Sequence, residues 1–398
     1  MPQRTSRQHR LALSRAARIN PGNIAGPGRS MRSIITLNSS QGYLLLRRIF
    51  VAACTVAVLA SCSVAELKSS VTAPEKSTPA ARAVSPPTSY TRPGDPEVLV
   101  VLEPITGGRQ EMAGGAVGEF ARIIVGGGDT ITLLNPVAVG GVRDQMLIVD
   151  AGARAIYRYN LATKNIQSLA QAGGQFLGEP SGIAVESDLS FYVADPVGKQ
   201  VLYFDADGNL IRRFADAANL ARPVDIAVDE ARGLVYVADG SYSHIVIFSK
   251  TGQAMSAIGG RGRGSGKFRA ITAITKGKDS LFVADRLELP LQEIDLVTGA
   301  FRFSVGQGQI VWPTALAVDK RNRIFASDRS DNTIKIFDDI RLIATIGGTG
   351  YAPGRFRLIT GMWLTDQNML YVADSLNHRV QVFRVVTDSN DPLPIIVQ

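Results

Sequence analysis

Leu147-Ile148-Val149-Asp150, Tyr192-Val193-Ala194-Asp195, Tyr236-Val237-Ala238-Asp239, Phe282-Val283-Ala284-Asp285, Phe325-Ala326-Ser327-Asp328 and Tyr371-Val372-Ala373-Asp374 are six versions of one phrase. Each is a short apolar run closed by an aspartate, and the steps between successive aspartates are 45, 44, 46, 43 and 46 residues. Self-similarity at one period marks a repeat architecture, in which every unit is a single supersecondary element. The unit around Asp195 shows what that element is. Gly182 to Val185, Phe191 to Ala194, Val201 to Phe204 and Leu210 to Phe214 read as four strands, parted by turns such as Asp207-Gly208-Asn209.

Four strands of about five residues with loops of about five fill a unit of this length. No amphipathic run of helical length recurs in the unit, so helical repeats are excluded. A four-stranded sheet has two open edges and cannot bury both faces alone. Packing six of them around an axis solves both problems. The expected fold is all-β, a six-bladed β-propeller of four-stranded antiparallel blades over residues 96–398. The last unit supplies only three strands before a short tail, and Glu97-Val98-Leu99-Val100-Val101-Leu102 is β-branched, apolar and free to serve as the fourth. That splice removes an open edge and ties the ends of the ring together. Residues 106–130 are ambiguous, with glycine-rich stretches around a possible short helix.

Asp374-Ser375-Leu376-Asn377-His378-Arg379-Val380-Gln381-Val382-Phe383 resembles the signature of NHL repeats. Ile346-Gly347-Gly348-Thr349-Gly350 to Gly354-Arg355-Phe356, and Ile258-Gly259-Gly260 to Gly266-Lys267-Phe268, resemble the loop that leads into the next NHL unit. The resemblance covers roughly residues 130–386. The units at Asp150 and Asp285 lack the Asn-His-Arg core. It implies a propeller that presents loops on two rims and binds proteins, glycans or RNA there. Six-bladed relatives also include metal-dependent lactonases and a lyase of peptide amidation, which makes an enzyme the alternative. Those enzymes converge Glu, Asp, Asn or His on an axial metal. The corresponding inner strands here, such as Ile183-Ala184-Val185 and Ala315-Leu316-Ala317, are apolar, with Asp225 the main acidic neighbour. No catalytic residue, metal site or cofactor is expected.

The net charge of +8 is misleading as a whole-chain figure. Residues 1–61 carry nine arginines and no acid, leaving 34 of the 43 basic residues against all 35 acidic ones. The remainder is near neutral, so nucleic acid is not an expected partner. Arg47-Arg48, the apolar stretch Ile49 to Leu59 and then Leu59-Ala60-Ser61-Cys62 have the layout of a secretory signal. The apolar run is shorter than the ~20 residues a membrane-spanning helix needs. Its end resembles a bacterial lipobox, which implies acylation of Cys62. Val51-Ala52-Ala53-Cys54 fits too, but with a much shorter apolar core. Residues 62–95, rich in Ser, Thr, Ala and Pro, read as a flexible tether. The expectation is an exported lipoprotein, held at the outer membrane, its periplasmic face or the cell surface.

Each candidate site competes with a structural explanation. The six aspartates recur in every unit and suit turn capping by side-chain acceptance of backbone N–H groups. His244 and His378 are too few for a zinc site. Gly259 to Phe268 imitates a phosphate loop, but Arg261 and Phe268 stand where that motif needs Gly and Ser or Thr. There is no Gly-x-Ser-x-Gly elbow for a serine hydrolase. What remains is charge. The loops before the fourth and sixth units carry Arg261, Arg263, Lys267 and Arg269, and Arg355 and Arg357. Propeller topology puts both loops on the rim of the recurrent aspartates, with Arg329 and Arg379 expected beside them. A one-sided basic cluster steers anionic partners. The expected function is a lipid-anchored scaffold whose rim contacts an acidic protein or anionic glycan of the envelope.

Overall fold

A computed structural model describes residues 99–110, 130–169 and 178–386. They form six sheets arranged as blades around an axis, antiparallel but for one added pair in the first. Blade 3 shows the pattern: Pro223–Asp229 lines the axis, and Leu234–Asp239, His244–Ser249 and Ala254–Gly259 step outward in sequence order. Blade 2 uses Ile183–Val185, Phe191–Asp195, Gln200–Phe204 and Leu210–Phe214, within a residue of the sequence-based spans. The inner strands of neighbouring blades pack against one another all the way round, including the last against the first. The one helical turn among the described residues is Ser375–Asn377.

Alternation along the strands explains how every blade buries both faces. In Phe191–Asp195 the side chains of Phe191 and Val193 point into the junction with blade 1, while Tyr192 and Ala194 point into the junction with blade 3. Period-two geometry demands this division. A strand apolar on both faces is what the repeated phrase encodes, and each of the six junctions holds its own apolar cluster. The core is thus a ring of interlocked inter-blade layers, not one central mass.

The ring is closed by the N-terminal segment. Leu99–Val101 pairs with Arg379–Val385 in the register Leu99↔Val385, Val100↔Arg384, Val101↔Phe383, and becomes the outer strand of blade 6. Beyond it, Leu102 N and Ile105 N donate to Val382 O and Val380 O, both at 2.8 Å. Glu97 and Val98 lie outside the described residues.

Blade 1 departs from four strands. After closing blade 6 the chain crosses to the outside of blade 1, where Gly107–Gln110 pairs in parallel with Asn165–Ser168 and antiparallel with Thr130–Thr132. That sheet therefore has six strands, while the other five have four. The added hairpin covers an edge that would otherwise stand open. Residues 111–129, where a short helix was a possibility, lie outside the described residues.

Candidate functional site

The recurrent aspartates organise one rim of the ring. All six are buried, and five of the carboxylates accept backbone N–H groups from the segment that starts an inner strand. Asp150 takes Leu134 N and Asn135 N at 2.7 and 2.9 Å, and Asp239 takes Ala221 N and Arg222 N, both at 2.6 Å. Asp285 takes Arg269 N at 2.5 Å, Asp328 takes Val311 N and Trp312 N at 2.9 and 3.0 Å, and Asp374 takes Arg357 N at 2.8 Å. Asp195 holds its own turn through Gly198 N at 3.0 Å. A buried carboxylate needs such donors to offset its desolvation. Burial raises the pKa of Asp328, but the Lys335 ammonium, the Ser330 hydroxyl and the backbone donors outweigh it and hold the carboxyl well below the usual range. These bonds put the inter-blade loops and the turns after each aspartate on the same face.

Two of the inter-blade loops rise from that face as matched arches. Gly260 to Lys267 leads into blade 4, and Gly348 to Arg355 leads into blade 6. In each, a buried glutamine from the third strand pins the arch: Gln292 accepts from Gly266 N at 2.9 Å and donates to Lys267 O at 2.9 Å. Gln381 accepts from Gly354 N at 2.8 Å and donates to Arg355 O at 2.6 Å. Phe268 and Phe356 plug the base of each arch, both at 0% exposure. The plug is why the arch must begin with glycine. At Gly259 (φ +90) and Gly347 (φ +109) a Cβ would stand 2.3 and 2.7 Å from the phenylalanine ring.

The six basic residues singled out in the sequence all stand on this rim, divided between the two arches. Arg261 and Arg263 are exposed and their guanidinium groups meet no acceptor among the described residues. Lys267 donates to Gly259 O at 2.9 Å, Arg269 to Leu287 O at 3.4 Å, Arg355 to Gly347 O at 2.5 Å and Arg357 to the Tyr351 hydroxyl at 2.7 Å. Arg379 is a correction. Its guanidinium is buried, donating to Asp374 Oδ2 at 2.9 Å and to Arg355 O at 2.9 Å, so it braces the second arch from below. Arg329 does reach the surface. Cys62 lies outside the described residues. His244 and His378 each donate a ring N–H to a loop carbonyl, of Asn219 and Leu134, and have a structural use.

Between the arches lies a cluster that the sequence did not announce. Arg286 and Arg329, the residues after Asp285 and Asp328, both lie over the indole of Trp312, at 4.8 and 4.6 Å from its centre. They come from successive blades and meet because Trp312 starts the inner strand at their junction. Exposed apolar side chains collect on the same rim: Leu134, Val197, Tyr242, Leu287, Val311, Tyr351 and Leu376.

The axial channel is a second candidate. Its inner strands enclose a cavity of about 230 Å³, and Asp225 is the only acidic residue among those lining it. The inner strands of blades 1, 3, 4 and 6 kink at the same place, so that Ala138, Asp225, Ala273 and Gly361 occupy equivalent positions. Gly182 and Ala315 fill that position in the other two blades. An aspartate thus replaces Ala or Gly in a ring of small residues. Its oxygens accept from Ile226 N and from Ile274 N of the next blade, both at 2.9 Å. Enclosure by protein pushes its pKa up to about 7 against the pull of those two bonds, although the residue as a whole is only half-buried. Among the described residues no three His, Cys, Asp or Glu side chains converge as metal ligands would.

No protein-family model matches the chain. A stretch of 138 residues is 29% identical to peptidylglycine alpha-amidating monooxygenase of Rattus norvegicus, covering 31% of this chain and 14% of that protein. The chain therefore spans a small part of that relative's length. Among solved structures, Kuenenia stuttgartiensis hydrazine synthase is similar at 12% identity and a TM-score of 0.46, covering 64% of this chain and 97% of that chain. The six-bladed architecture stands on the chain's own strand order.

Proposed function

We propose that this chain is an NHL-type propeller acting as a binding or scaffolding module, displayed from a membrane by a lipid on Cys62. Its aspartate-side rim contacts an acidic protein or anionic glycan of the envelope. The observation that carries this reading is the distribution of unused donors. The guanidinium groups of Arg261, Arg263, Arg286 and Arg329 stand on one face without protein acceptors among the described residues. The recurrent aspartates of that rim are buried and bound to backbone N–H groups, and Asp328 and Asp374 are also paired with Lys335 and Arg379. They therefore compete weakly with an incoming anion.

The reading is tested by retention on immobilised polyglutamate and on heparin under a salt gradient. Replacing Arg261, Arg263, Lys267 and Arg269 with Ser should lower the eluting salt while leaving the thermal midpoint unchanged. The interaction should fade as salt shortens the Debye length below ~8 Å. Elution at the same salt would exclude the basic rim. The anchor is tested separately: Cys62→Ala should release the protein from the membrane fraction and change its processed size, and an unchanged fractionation would exclude lipidation at this residue. Several acyl chains at ~0.8 kcal/mol per buried CH₂ would hold the protein firmly.

A further inference from the structure

We infer that the Arg286–Trp312–Arg329 stack is the recognition point of the rim, and that it takes carboxylates of an acidic protein segment that also carries apolar side chains. This deepens the rim reading above and rests on it.

The argument begins with the geometry of stacking. A guanidinium lying over an indole satisfies its face and leaves its N–H donors along the edges, where a carboxylate can be held by two parallel bonds. Neither Arg286 nor Arg329 donates a side-chain hydrogen bond to the protein among the described residues, so those edges are unspent. The stack also restrains two long side chains before any partner arrives, which lowers the ordering cost of binding. Trp312 itself is fixed from behind, because its backbone N–H bonds to buried Asp328 at 3.0 Å. The backbone N–H of Arg329 bonds in turn to Trp312 O at 2.8 Å.

The surroundings choose the occupant. Val311 beside Trp312 is 67% exposed and Leu287 beside Arg286 is 49% exposed, and Tyr351 on the second arch is 70% exposed. Arginine and large aromatic side chains next to exposed apolar ones are the composition of protein interface hot spots. A polyanionic glycan offers charge without aliphatic side chains to cover Val311 and Leu287.

The test is selection of a random peptide display library on the purified chain, with affinities of the enriched peptides measured against variants. Peptides rich in Asp and Glu beside Leu, Phe or Trp should be enriched. Their binding should weaken by about tenfold or more in the Arg286→Gln, Arg329→Gln double variant, as expected for loss of interface anchors. The same charge change on the opposite face, Lys278→Gln with Arg341→Gln, should leave binding unaltered. Enrichment of peptides without acidic residues overturns the inference. So does a library that yields nothing while heparin or vesicles of anionic phospholipid bind and release with the double variant. If acidic peptides keep their affinity in the double variant but lose it in the Arg261, Arg263, Lys267, Arg269→Ser variant, the stack is wrong and the rim reading survives. If neither variant matters, both fall.

Discussion

Asp225→Ala is a substitution whose effect on stability depends on pH in a predictable sense. The wild-type carboxyl rises from the ordinary 3.8 to about 7 in the folded protein, because protein encloses it. At about 1.4 kcal/mol per pH unit, this rise is worth about 4 kcal/mol at most, and less to the extent that channel water reaches the group. The folded state holds this proton more tightly than the unfolded chain. Below the unfolded pKa both states are protonated and no penalty exists. As pH climbs through the window between the two values, the unfolded chain ionises first and wild-type stability falls. Above the folded value the penalty is complete and constant.

Alanine fits the site, since Ala138, Ala273 and Ala315 occupy the equivalent positions of other blades. The variant lacks the penalty but takes this acceptor from both Ile226 N and Ile274 N, a pH-independent loss of about 1–3 kcal/mol for each donor left unpaired. Urea unfolding of both proteins between about pH 4 and about pH 8 gives the difference curve, in which all other carboxylates cancel. The variant should be the less stable protein at the acid end and gain at least about 2 kcal/mol relative to wild type by the alkaline end. A difference that is flat to within about 0.5 kcal/mol, or that moves the other way, refutes the placement of a desolvated carboxyl in the channel.

Three further outcomes follow from the packing. Leu99→Ala and Val101→Ala remove side chains that are 2% and 5% exposed in the junction of blades 5 and 6. The leucine change should cost about 2–5 kcal/mol and the valine change less, read as lowered urea midpoints, because the closing strand is part of the core. Asp374→Ala strips Arg379, Asn377, Gln381 and Arg357 N of their common acceptor, and the stranded buried guanidinium should cost about 3–5 kcal/mol in equilibrium unfolding. Gly347→Ala drives a Cβ to 2.7 Å from Phe356 at φ +109. It should lower the thermal midpoint and loosen the second arch, seen as faster amide exchange between Gly348 and Arg355, whereas Gly308→Ala, with nothing within 4 Å, should show only the smaller cost of its positive φ.

The blades were legible in the sequence because a strand buried on both faces has a simple local code. Three residues, apolar in every copy but for Ser327, and a terminal aspartate, repeated at steps of 43 to 46 residues, state both the unit and the number of units. The closing strand was legible for a related reason: the last unit is one strand short, and Leu99 to Leu102 is the apolar β-branched segment that lacks a partner. The outer hairpin of blade 1 carries no such code. Gly107–Gln110 is short and polar, and only the returning edge of Asn165–Ser168 gives it a place.

The site divides along the same line. Runs of arginine in Gly-rich loops are local, so Arg261, Arg263, Arg355 and Arg357 could be read directly, and topology sends such loops to one rim. What a given side chain does there is a matter of long-range contacts. Arg379 and Arg329 each follow a recurrent aspartate, five residues and one residue on, yet Asp374 and the second arch close over Arg379, whereas Arg329 finds Trp312 and stays at the surface. Arg286 reaches the same indole from the preceding blade, a meeting that no spacing within one repeat encodes. Asp225 was visible as an acid among apolar neighbours, but its raised pKa comes from enclosure by inner strands drawn from the whole ring. Sequence by itself determined the elements and their repetition, since those depend on periodicity along the chain. Tertiary structure alone decided which charges are spent and which are free, because desolvation and pairing depend on what six separate blades bring to the same point in space.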